Sequence, residues 1–340
     1  MNQLAVPTPL PATLAALDRA LGPRGSSALD PSVPAVVWRR ALAAPAAEFL
    51  ARPGKQLRTT IVRAGWMLGG GDPAAMPDGL PLVIELLHAG SLIVDDVEDD
   101  SHERRGAPTL HRVVGVPLAI NTGSWMYFWA LAELADLGLP PETELAAHRA
   151  ATATLVRCHQ GQALDLAVRI AELEVCDVTA VVAATTRLKT GALCALAAEL
   201  GAIAAGASIE VRAAIAGFGA AMGSGLQMLD DLGSLTSPAR RDKGREDLRG
   251  GRPTWPWAWL AEQGPFAWSR LAAMERAVAA GRGDVEALAD ALVDAVGGIG
   301  RARVRTALDD ALAALIAVVG DSPATEMIAA ELRRMEESYA

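Results

Sequence analysis

Apolar side chains recur at a spacing near 3.6 along almost the whole chain, while runs alternating with period two are scarce, so the pattern predicts helices and an all-α fold. The patterning breaks at Arg52-Pro53-Gly54, Gly69 to Pro73, Gly138 to Pro141, Ser237 to Pro256, Gly281 and Gly297-Gly298. Residues 1–34, rich in Pro, Ala and Ser, read as a loose arm with one short helix. Residues 35–340 read as one helical domain, since no hydrophilic linker and no solenoid-length repeat interrupts them. Residues 284–340 form amphipathic helices to which no chemistry is assigned. The triple glycine at 69–71 lacks a phosphate-loop frame and reads as a helix-to-helix loop.

Apolar residues make up 51% of the 340, but aromatics only 4%, so the core is built largely from Ala, Leu and Val, and the alanines let helices approach closely. The net charge of −9 argues against a nucleic-acid binder and leaves room for a local basic pocket. Cys158, Cys176 and Cys194 have neither a CxxC pair nor metal-ligand spacing and read as free thiols in a reducing compartment. The first residues lack a basic region followed by an apolar core, and no uninterrupted apolar run reaches the ~18–20 residues of a membrane span. A cytoplasmic protein is expected.

Chemistry enters with two acidic clusters. In HAGSLIVDDVEDDSHERRG, residues 88–106, Asp95 and Asp99 share a helix face and Asp96 lies one position round. Like charges at that spacing destabilise a helix by a few tenths of a kcal/mol, and carboxylates ending a buried apolar run need a cation. Hard carboxylate oxygens suit Mg2+, which completes its shell with water and phosphate oxygens. Arg104 and Arg105 follow, each offering a planar fork to phosphate. An isolated cluster of this kind is more often a solvated acidic helix end. The second cluster, Asp230-Asp231, also ends an apolar helix and precedes a basic, Gly-containing segment. Lys189 and Thr190 interrupt a third apolar helix. A bound anion or a nearby carboxylate explains the lysine equally well.

With these segments the chain resembles the trans-isoprenyl diphosphate synthase family, most closely the geranylgeranyl diphosphate synthases of the eukaryotic type. Seven matches occur in order: GKQLR at 54–58, HAGSLIVDDVEDDSHERRGAPT from His88, INTGSWMYF at 120–128, HQGQALDL at 159–166, KTG at 189–191, LQMLDD at 226–231 and EDLRGGRPTWP at 246–256. The resemblance implies the isoprenoid synthase fold, a single large helical bundle around a central apolar cavity with both acidic motifs at its mouth. It implies a prenyltransferase that condenses an allylic diphosphate with isopentenyl diphosphate, uses Mg2+ (about three ions) and forms a homodimer. Asp95, Asp96, Asp99, Asp230 and Asp231 would hold the metal. Arg104, Lys189 and Lys243 would contact the allylic diphosphate, and Lys55, Arg58, His88 and Arg105 the isopentenyl diphosphate. Thr190 and Gln227 would turn their oxygens toward the developing allylic cation.

The chain departs from the family pattern at Val94, where many members carry His, at Ser234, where a third acid is common, and at Arg252, usually Lys. Small residues at Gly90 and Ser91 argue against an early stop to chain growth. Tyr127, Phe128 and His159 resemble the floor of the geranylgeranyl-type cavity, which points to a C20 product, although aromatics on an apolar helix, and a lone histidine, are more often ordinary core. Three alternatives stand behind the synthase: a terpene cyclase of related build, a non-catalytic partner subunit, and an acidic helical scaffold without a ligand.

Overall fold

The computed structural model describes residues 11–23, 25, 28–54 and 57–339. The described chain is all-helical apart from one two-residue hairpin. Helices α1 (Pro11–Leu21), α2 (Ala35–Trp38), α3 (Ala44–Leu50) and α4 (Leu57–Leu68) lead into α5 (Leu80–Glu98). Strands β1 (Glu103–Arg104) and β2 (Ala107–Pro108) follow, then α6 (Leu110–Val114), α7 (Val116–Asp136), α8 (Pro141–Ala167) and α9 (Val175–Thr186). The rest comprises α10 (Ala192–Ala204), α11 (Ile209–Thr236), α12 (Arg241–Arg249), α13 (Trp255–Ala261), α14 (Pro265–Ala279), α15 (Val285–Val319) and α16 (Pro323–Glu337). Proline occupies the first turn of α5, α7, α8, α13, α14 and α16, where its missing N–H is not needed.

The main core lies among α4, α5, α7, α10 and α11. Its scarcity of aromatics is explained by backbone contact. A methyl group placed on Gly65 would lie 2.0 Å from the Ala198 carbonyl oxygen, and one on Gly201 would lie 2.2 Å from that of Val62. Helices α4 and α10 therefore touch main chain to main chain, which any side chain at Gly65 or Gly201 would prevent. A second core holds three further tryptophans: Trp255, Trp257 and Trp259 of α13 pack among α9, α12, α14 and α15.

Two expectations change. The arm's helix α1 buries Ala16, Leu17 and Ala20 in the main core, so residues 11–21 dock on the body; residues 1–10 lie outside the described residues. Gly297-Gly298 does not end a helix but lies inside the 35-residue α15. Packing overrides the glycine propensity there: α15 runs along α11 and α13, and a methyl group at Gly300 would meet the Trp259 ring at 2.3 Å. The helical stretch Val175–Ala204 has the length and apolarity of a membrane span. Its α10 half is buried against α4 and α11, and ion-paired Lys189 lies midway, as in a core helix.

Candidate active site

Helix α5 carries the first acidic cluster to its C-terminal end, where Asp99 caps the helix. Asp95 accepts hydrogen bonds at Oδ1 from Lys189 Nζ and Gln162 Nε2, both at 2.9 Å. Burial raises its pKa, but Lys189, Gln162 and Arg104 outweigh burial and hold the carboxyl below its ordinary value. Lys189 also reaches Asp165 Oδ2 at 2.7 Å, and Arg252 bridges Asp165 (3.4 Å) and Asp99. Burial opposes the Lys189 charge, yet Asp95 and Asp165 raise its pKa above that of a free lysine. Lys243 pairs with Asp247 at 3.2 Å, and Arg252 Nε lies 3.7 Å from the same carboxylate. Asp95, Asp99, Asp165 and Asp247 thus alternate with Lys189, Arg252 and Lys243 in one polar layer. Asp96 lies outside this layer, fully buried, with Arg104 Nε donating to it at 2.8 Å and Oδ2 left unpartnered.

The RRG turn has a local cause. Arg105 (φ 56°) and Gly106 (φ 77°) are the two central residues between paired Arg104 and Ala107, the left-handed geometry of a type I′ hairpin. Arginine is strained in that conformation, and buried Arg52 holds it there by donating to the Arg104 and Pro108 carbonyls at 3.1 and 2.7 Å. Arg52 is itself fixed by Glu48 at 2.8 Å, and both Arg52 and Arg105 lie over the Phe49 ring. A methyl group at Gly54 would sit 3.4 Å from the Arg105 guanidinium. His88 faces this group: burial first, then the charges of Arg58, Arg105 and Arg104, push its pKa well below 6.5. Arg58 Nε is buried without a hydrogen-bond partner. Three cations, a neutral imidazole and an unpaired donor make an anion pocket. Lys55, predicted to join it, lies outside the described residues.

Lys189 and Thr190 stand in a π-helical turn, Arg187–Gly191, between α9 and α10. Widened turns of this kind frequently mark functional sites. Lys189 reaches the first cluster from this turn. Its neighbour Thr190 donates to Gln227 Oε1 at 2.7 Å, and Gln227 Nε2 donates to Asp231 at 2.8 Å. The Trp255 N–H donates to the other Asp231 oxygen at 2.9 Å. Burial pushes the Asp231 carboxyl up to about 7 against those hydrogen bonds.

Asp230 is more open than the other predicted ligands, with its side chain 46% exposed, and takes Arg240 and Tyr339 as partners. It does not join the Asp95 layer through any hydrogen bond among the described residues. A cavity of about 400 Å3 lies on that side, walled by Leu229, Gly233, Arg301, Arg305 and Tyr339. Ser234, in place of a third acid, donates back to the Asp231 carbonyl at 2.7 Å beneath α12 and offers no ligand to the layer.

Two of the predicted floor residues lie at the surface, while Tyr127 packs beside Gly90. Phe128 is 70% exposed and His159 is also exposed, stacked edge-on against half-buried Tyr127 at 6.0 Å. Gly90 lines a helix contact: a methyl group there would lie 2.7 Å from the Gly123 carbonyl oxygen of α7. Ser91 Oγ donates to the His88 carbonyl. Sequence reasoning assigned no role to Gln162, Asp165 or Asp247, although HQGQALDL and EDLRGG contain them.

Among the described residues no three Asp, Glu, His or Cys side chains converge at metal-ligating spacing. The donor chemistry nevertheless fits Mg2+, which needs only one or two carboxylates when phosphate and water supply the remaining oxygens. Asp95, Asp99 and Asp230 would supply them, with Asp95 and Asp99 giving up their bonds to Lys189 and Arg252. Asp96 and Asp231 are committed to Arg104 and to Gln227 with Trp255, respectively.

A family model described as polyprenyl synthetase matches residues 39–291. The geranylfarnesyl diphosphate synthase of Aeropyrum pernix is 35% identical over 208 residues, 59% of this chain and 64% of that protein. Geranylgeranyl pyrophosphate synthase 2 of Zymoseptoria tritici is 33% identical over 210 residues, 61% and 60% of the two chains. The chain thus spans less than two thirds of the length of these two relatives. A geranylgeranyl pyrophosphate synthase of Apiospora sacchari is 33% identical over 239 residues, 69% of this chain and 68% of that one. The crystal structure of geranylgeranyl pyrophosphate synthetase from Pyrococcus horikoshii Ot3 superimposes with a TM-score of 0.75 at 22% identity, covering 96% of this chain and 95% of that one, which shows a shared fold. With its acidic layer and arginine pocket mounted on that fold, the chain belongs to the polyprenyl synthetase family.

Proposed function

We propose that the chain is a prenyltransferase joining isopentenyl diphosphate to an allylic diphosphate, either dimethylallyl, geranyl or farnesyl. The observation that carries the reading is adjacency. Lys189 bonds the first acidic cluster, and its neighbour Thr190 leads through Gln227 to the second. The His88–Arg58–Arg105 pocket opens on the same helix α5. Lys189, Lys243, Arg104 and Arg252 carry the charge that an allylic diphosphate would meet as its carbon–oxygen bond ionises. Mg2+ held by Asp95, Asp99 and Asp230 would add Lewis-acid neutralisation of that diphosphate. Thr190 and Gln227 place polar oxygens beside the developing cation, and Arg58, Arg105 and Lys55 orient isopentenyl diphosphate so that its double bond attacks. The proton lost afterwards passes to the departing diphosphate.

The C20 product rests on the geranylgeranyl-type relatives, because Phe128 and His159 do not line an interior floor. A homodimer is supported by exposed Val116, Ile120 and Phe128 along α7 and Val156 on α8. Free Cys158, Cys176 and Cys194 fit a reducing, cytoplasmic setting. The synthase domain spans residues 35–340, with α1 of the N-terminal arm docked on its core.

The decisive assay supplies Mg2+, farnesyl diphosphate and labelled isopentenyl diphosphate. Labelled prenyl diphosphate of C20 length is expected. Unlabelled hydrocarbon or alcohol would replace the reading with a terpene cyclase, turnover only with a second protein with a partner subunit, and no binding of either diphosphate with a scaffold.

A further inference from the structure

Tyr339, beyond the end of α16, reaches back to α11. Its hydroxyl donates to Asp230 Oδ1 at 2.5 Å, and Arg240 donates to the same oxygen at 3.0 Å. The Arg240 guanidinium also lies 3.9 Å from the centre of the Tyr339 ring, so the two donors brace each other. The seat is built into α11. A methyl group on Gly233 would come 3.1 Å from Tyr339 Cδ1 and 3.3 Å from an Arg240 nitrogen.

Both hydrogen bonds fall on Oδ1. Two hydrogen bonds on one oxygen fix the rotation of a carboxylate whose side chain is otherwise 46% exposed and free to turn. Carboxylates that ligate metals depend on such outer partners, and losing one typically weakens metal binding by about 10–100-fold.

We propose that Tyr339 and Arg240 are positioning residues that orient Asp230 so that its Oδ2 is presented to a divalent cation. This rests on the reading of Asp230 as a metal ligand, given above. Neither residue touches substrate; both act through Asp230.

The test is Mn2+ binding to the full chain with inorganic pyrophosphate, read from the electron paramagnetic resonance signal of free Mn2+. Tyr339→Phe keeps the ring against Arg240 and removes only the hydroxyl, so the melting temperature should hold. Mn2+ affinity is expected to fall on the order of 10-fold, while pyrophosphate affinity without metal and KM for isopentenyl diphosphate stay unchanged. Arg240→Ala should weaken Mn2+ similarly and carries the test if Tyr339→Phe fails to fold. Combining Tyr339→Phe with Asp230→Asn should add no further loss. Mn2+ binding by Tyr339→Phe equal to or tighter than wild type, or additive losses in the double variant, overturns the positioning role alone. Absence of Mn2+ binding by the wild-type chain with pyrophosphate overturns it together with the functional reading.

Discussion

Lys189 lies 94 residues beyond Asp95 in sequence and donates to it at 2.9 Å while donating to Asp165 at 2.7 Å. One ammonium therefore separates two carboxylates contributed by α5 and α8 and also marks where a diphosphate would bind. Lys189→Ala is expected to lower kcat/KM on the order of 10²–10³-fold, the size of losing one preorganised charge contact. Its melting temperature should fall too, because Asp95 and Asp165 are left facing each other. Lys189→Arg should not restore turnover, since a bulkier planar fork cannot take the compact tetrahedral position from which the ammonium spans Asp95 and Asp165. Steady-state kinetics and thermal melts of the two variants check both points.

Arg52 reports on the hairpin. It touches neither predicted substrate, yet it holds both strand carbonyls flanking the strained Arg105. Arg52→Ala should raise KM for isopentenyl diphosphate by about 10-fold or more, with a smaller change in KM for the allylic substrate. Equal changes in the two constants would contradict this assignment.

His88 gives the pocket a pH signature. Its folded pKa lies well below 6.5, so in mildly acidic solution the unfolded chain binds a proton that the folded chain refuses. The stability linked to this group is complete above about pH 6.5 and drains away as the pH falls. His88→Gln should flatten the dependence of unfolding free energy on pH between 7 and 5. Pyrophosphate should raise the His88 pKa by offsetting the arginine charges, which imidazole NMR titrations with and without the anion will read.

Gly90 was expected to bear on product length through its small size, but its lack of a side chain serves contact with α7. Gly90→Ala would place a methyl group 2.7 Å from the Gly123 oxygen, a clash costing about 1–3 kcal/mol. Turnover should therefore drop, through displacement of Asp95 one turn further along α5, while the product stays the same length. Shorter product from Gly90→Ala would restore the floor assignment.

Phe128, 70% exposed, tests the dimer. Phe128→Glu should leave the monomer folded and shift the chain from dimer to monomer in size-exclusion chromatography with light scattering. An unchanged mass would remove α7 from the interface.

Much of the site was legible because its charges interrupt apolar helices. Asp95, Asp99, Lys189 and Asp231 each stand where a 3.6-residue pattern is broken by a group that burial alone would penalise. Gln162 and Asp165 gave no such contrast, since α8 is polar at many positions and two more polar residues look like its solvent face. Phe128 was misread because α7 is apolar nearly all round, so periodicity does not tell the core side from the outer side. Gly90 was ambiguous for a different reason: a missing side chain suits a cavity wall and a backbone contact equally. Tyr339 belongs to no motif, and only the return of the chain past α16 brings it to Asp230, whereas Arg240 stands ten residues after Asp230 at the head of the basic segment.

Asp231 divides the labour of its pair. Gripped by Gln227 and by the main-chain N–H that opens α13, it ties the tryptophan-rich half of the molecule to the half that holds the first acidic cluster. A descendant of this chain that abandoned catalysis could shed Asp230 freely, yet would be under pressure to keep Asp231 for folding alone. Erosion of such a motif should therefore begin at its first acid, and a surviving lone second acid would mark inheritance of architecture without inheritance of chemistry.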